Sequence, residues 1–196
     1  MGSFQSSMMA LVAKERFARA SLPSGANRND FNTYLDALAR AVAQAISQWQ
    51  ETARLSGVII NSVTAFGGVL VAPPLDPLIR SAAPGGSWDA YTRAIAAGLG
   101  NQMRTFESLV KVPGLPWYPS FAAVPCPVAP PTPNVPCSLM ALSAAALPQL
   151  SESSVKSAII AKFPNPKPAA GTDLAVAVAA GFEKAAIPWL GGTIVR

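Results

Sequence analysis

Asp30-Phe31-Asn32-Thr33-Tyr34-Leu35-Asp36-Ala37-Leu38-Ala39-Arg40-Ala41-Val42-Ala43-Gln44-Ala45-Ile46-Ser47-Gln48-Trp49 is the run that decides the fold class. Phe31, Leu35, Leu38, Val42, Ala45 and Trp49 follow one another at alternating spacings of four and three. A helix turns once in 3.6 residues, so these six form one apolar stripe. Asn32, Asp36, Arg40, Gln44 and Ser47 fall on the other side. The spacing predicts a helix over 30–54, with Asn29 or Asp30 supplying a side-chain oxygen to the exposed amides of its first turn. The stripe is also a coiled-coil-type seam, under four heptads long. A core-facing helix of a bundle is the favoured reading, ahead of a self-associating seam.

Beyond this helix the character changes. Val58-Ile59-Ile60 and Val69-Leu70-Val71 flank the Gly67-Gly68 pair, and β-branched residues around two glycines predict a hairpin within 57–72. The alternative continues the helix to Phe66 and stops it at the glycines. Pro73, Pro74 and Pro77 are expected to end regular structure. A second helix is predicted over 88–110, capped by Ser87, with Trp88, Tyr91, Ile95, Leu99, Met103 and Phe106 as its stripe. Gly98 and Gly100 weaken it but allow close backbone approach. Shorter helices are expected at 139–146, 153–163 and 173–186, with caps from Ser138, from Ser151 or Ser153, and from Thr172 or Asp173. The last is apolar nearly all round and must be buried on most sides. The tail Gly191-Gly192-Thr193-Ile194-Val195 has the makings of an edge strand. The predicted architecture is therefore mainly α, a helical domain with a small β-hairpin element and an extended proline-rich arm. Residues 1–28 read as an N-terminal arm with a short helical turn, and 29–196 as a single domain.

The proline-rich arm, 112–137, holds Pro113, Pro116, Pro119, Pro125, Pro127, Pro130, Pro131, Pro133 and Pro136 among apolar residues. An ordinary linker is polar. An apolar polyproline-like segment is better explained as packed along a surface, with Trp117, Tyr118 and Phe121 as candidate interface anchors. Cys126 and Cys137 bracket its second half, and a disulfide between them would pin the loop into a lobe. Two buried free thiols are the alternative.

Composition narrows the function. Hydrophobic residues make up 51% of the 196, and charged residues only 13%, about half the usual share of roughly 25%. A free-standing soluble domain covers itself with more charge, so the deficit points to surface that faces a partner subunit, a copy of this chain or a lipid. The 19 prolines and 14 glycines stay below the range of roughly 25–30% that marks low-complexity disorder. A net charge of +5 hints at an anionic partner. Yet the basic residues are dispersed, and their densest cluster, Lys14, Arg16 and Arg19, is diluted by Glu15, so nucleic-acid binding is disfavoured. Met1-Gly2-Ser3-Phe4-Gln5-Ser6 fits a myristoylation pattern that a chance opening also produces. No secretory signal is visible, and the expectation is a protein made in the cytoplasm and incorporated into a particle. Leu55–Leu75 carries no charge and is long enough to span a bilayer, but Ser56, Asn61, Ser62, Thr64 and the glycines argue against it.

The chain has no histidine. That removes the usual base of serine and cysteine hydrolases. Two cysteines cannot close a four-ligand zinc site, and no carboxylates cluster as Asp-x-Asp or Glu-x-x-Glu. Neither glycine pair is followed by the Gly-Lys-Ser/Thr ending of a phosphate loop. Ser153-Ser154-Val155-Lys156 has the Ser-x-x-Lys spacing, but without any Ser-Asp-Asn or Lys-Thr-Gly partner. No catalytic residue, cofactor or metal is implied. The leading expectation is a non-enzymatic structural subunit of a large protein assembly, such as a phage virion, tail or baseplate, or a contractile injection or secretion apparatus. Its partners would be other protein subunits or copies of itself. The alternatives are a membrane-associated or pore-forming protein using 57–72 and the last helix, and a small enzyme with a carboxylate or Ser-Lys site.

Overall fold

A computed structural model describes residues 2–20, 22, 27–61, 64–116 and 137–195. The fold is mainly α with a small three-stranded antiparallel sheet. In chain order the helices are α1 (Ser6–Phe17), α2 (Arg28–Thr52), α3 (Leu75–Ala82), α4 (Asp89–Leu109), α5 (Leu139–Leu142), α6 (Glu152–Ile160) and α7 (Gly171–Gly192). The strands are β1 (Arg54–Asn61), β2 (Thr64–Val71), β3 (Val112–Pro116), β4 (Cys137–Ser138) and β5 (Ile194–Val195).

The stripe of α2 is buried throughout: Phe31, Leu35, Leu38, Val42, Ala45 and Trp49 all lie in the core, while Arg40, Gln44 and Ser47 face solvent. The cap differs from expectation. Asn27, not Asn29 or Asp30, accepts from the Asn29 amide at 2.9 Å, and the helix begins earlier. The core is built around α7, which packs on α1, α5 and α6, while α4 packs on α3 and α6 and α2 on α1 and α3. Residues 1–28, read as an arm, contribute α1, and its Met9, Ala10, Ala13 and Phe17 are buried.

Two indoles meet at the centre. Trp49 and Trp189 sit edge to face at 5.8 Å. Each has its ring N–H satisfied, Trp49 by Glu107 at 2.6 Å and Trp189 by Gln50 at 2.9 Å. A buried indole without such an acceptor would be costly, since its N–H has no water to turn to. At the other end of the bundle, Phe31, Tyr34, Trp88 and Tyr91 form an aromatic cluster, in which the Tyr34 and Trp88 rings stack at 4.6 Å.

Several expectations are corrected. The prolines after the hairpin do not end regular structure: α3 starts directly after Pro74, with Pro77 in its first turn, where a helix has no need of the missing amide. Ser87 lies in a 3₁₀ turn over Gly86–Trp88, and α4 starts from Trp88 without a side-chain cap. Likewise α7 begins after Ala170, in a left-handed conformation, rather than from a cap at Thr172 or Asp173, and it runs past Pro188 to Gly192. The expected caps of α5 and α6 are in place. Ser138 accepts from the Ala141 amide, and Ser151 from that of Ser154. The C-terminal tail does form a strand, β5, paired antiparallel with β4.

Candidate interaction surface

The hairpin is present, with its turn displaced. Asn61 pairs with Thr64, so the chain reverses there and not at Gly67-Gly68. Those two glycines lie inside β2, where both have positive φ, as does Gly57 on β1. A residue with a Cβ would be strained in that conformation. β1 pairs antiparallel with β2 along its length, and β3 pairs with the outer half of β2. The β2–β3 register shifts between Ala65 and Phe66, which leaves Gly114 as an extra residue on β3.

Part of this sheet is anchored. Ala65, Leu70 and Val112 are buried, and Leu55 packs against the core. Other apolar side chains of the hairpin are open to solvent. Ile59 is 55% exposed, Phe66 37%, Val69 49% and Val71 56%. Half of the exposed large apolar side chains among the described residues therefore sit on one hairpin, and the rest are scattered over Leu11, Leu109, Ile187 and Ile194. Ile59, Phe66 and Pro113 stand opposite one another across the three strands, close enough for side-chain contact. The strands β1, β2 and β3 carry a single charge, Arg54. Its guanidinium donates to the carbonyls of Glu51 and Ala53 at the foot of the hairpin.

A second apolar depression, of about 270 Å³, lies between α5, the turn over Leu147–Leu150 and α7, lined by Met140, Leu147, Leu150, Ile187 and Leu190, with Glu183 at its margin. A third cleft, near Pro77 and Arg80, holds Asp89 and Thr92. Both are engaged, Asp89 with Arg93 and Thr92 with the Pro84 carbonyl. Among the described residues no three His, Cys, Asp or Glu side chains approach closely enough to hold a metal ion.

Trp117, Tyr118, Phe121 and Cys126 lie outside the described residues, as does most of the 112–137 segment, and so does the Cys126–Cys137 pairing. Cys137 itself is half-buried on β4, opposite Val195. Ser153 and Lys156 are on α6, where the Ser153 hydroxyl lies 3.2 Å from that of Ser151. By length and hydropathy α7 could cross a membrane, but 67% of its most apolar window is buried in the fold.

The exposed apolar side chains of the hairpin are not marked in the sequence, because Val69, Leu70 and Val71 are all apolar. A strand apolar on both faces reads as fully buried, and nothing in its period says which face stays out. Comparison with protein-family models, with curated proteins and with solved structures finds no match to this chain.

Proposed function

We propose that this chain is a non-enzymatic structural or interaction subunit of a larger protein assembly. The observation that supports it is the cluster of exposed apolar side chains on the hairpin, Ile59, Phe66, Val69 and Val71, on strands whose single charge is Arg54. Large apolar side chains concentrated at one exposed element favour a place where another surface binds. The low charge of the whole chain agrees with it. The N-terminal segment lends little support, because Met9, Ala10, Ala13 and Phe17 of α1 are used inside the fold and only Leu11 among its large apolar side chains is exposed. The narrower placement, in a phage virion, tail or baseplate or in an injection or secretion apparatus, reflects where chains of this composition occur and is carried by no particular residue. The membrane reading draws on the same hairpin and on α7. It is weaker because α7 is enclosed by other helices and because a sheet edge brings unsatisfied amides that lipid cannot serve. Size-exclusion chromatography with light scattering tests the proposal. The expected result is a mass above that of one chain, and a clean monomer, soluble without detergent or partner, overturns it.

A further inference from the structure

We draw no further inference here: the strongest candidate, the patch of exposed apolar side chains Ile59, Phe66, Val69 and Val71 on the β1–β2 hairpin, carries none, because nothing among the described residues shows what covers it.

Discussion

Leu38 and Arg40 are two residues apart and live in different solvents. Leu38 is fully buried, while Arg40 is exposed and takes part in no ion pair among the described residues. Truncating a buried leucine costs roughly 2–5 kcal/mol, and a carboxylate left there without a partner adds its own desolvation. Against a typical total stability of about 5–15 kcal/mol, Leu38→Asp should abolish the cooperative melt. Arg40→Ala should change stability by less than about 0.5 kcal/mol. Equal tolerance of both in thermal denaturation would show the helix phase to be wrong. Glu107 offers a subtler test. Burial raises its pKa above the ordinary carboxylate value, against the lowering influence of the Trp49 hydrogen bond and of Arg104. A raised folded pKa means that the neutral acid is the form the fold prefers. The associated stability is present below the unfolded pKa and is lost as pH rises through the folded one. Glu107→Gln keeps an oxygen for the Trp49 N–H and cannot ionise. Its melting temperature, compared with wild type, should therefore rise between pH 4 and pH 7. A difference that stays flat or reverses over that range would contradict the burial argument.

Elements were legible in the sequence where their period was clean. The stripe of α2 and that of α4 could be read because apolar residues recurred against a polar background. α3 was missed because three prolines dominate its neighbourhood and an eight-residue helix is too short to show a period. The hairpin was placed correctly and its turn was not, since positive-φ glycines serve a twisted strand as well as a turn. Which hairpin side chains stay exposed cannot be found by pattern at all, because exposure there depends on what packs from elsewhere in the chain. Glycine in α4 allows close approach, and Gly98 uses it: a Cβ there would come within 2.7 Å of the Ile159 backbone on α6. Helices meeting that closely have no slack, and overpacking costs about 1–3 kcal/mol. Gly98→Ala should thus destabilise the fold although alanine is the better helix former. Gly191→Ala on α7, where the nearest outside atom is the Met140 methyl at 3.8 Å, should be neutral or mildly stabilising. Chemical denaturation of the pair reads the difference directly, and a Gly98→Ala variant as stable as wild type would mean that α4 and α6 can separate without penalty.

At the scale of the whole molecule, net charge and the exposed apolar side chains of the hairpin act in opposite directions on association. Each chain carries +5, so two copies repel at a distance. The proposed contact surface has one charge per copy and no acid, so almost nothing in the contact itself is weakened by salt. Screening shortens from about 8 Å at physiological ionic strength to about 3 Å at 1 M, which removes the repulsion and leaves the apolar contact. Sulfate goes further, because excluded salts favour burial of apolar surface. Self-association measured by light scattering should therefore tighten as sodium chloride rises from about 0.1 to about 1 M, and tighten more in sodium sulfate. A contact held by ion pairs would loosen over the same range. So would binding to nucleic acid, whose affinity falls steeply with salt as counterions are no longer usefully released. The sign of the salt dependence thus separates an apolar assembly surface from the anionic partner that the chain's positive charge invites. Loosening with salt would reject the hairpin as the contact and move attention to the basic residues of α1.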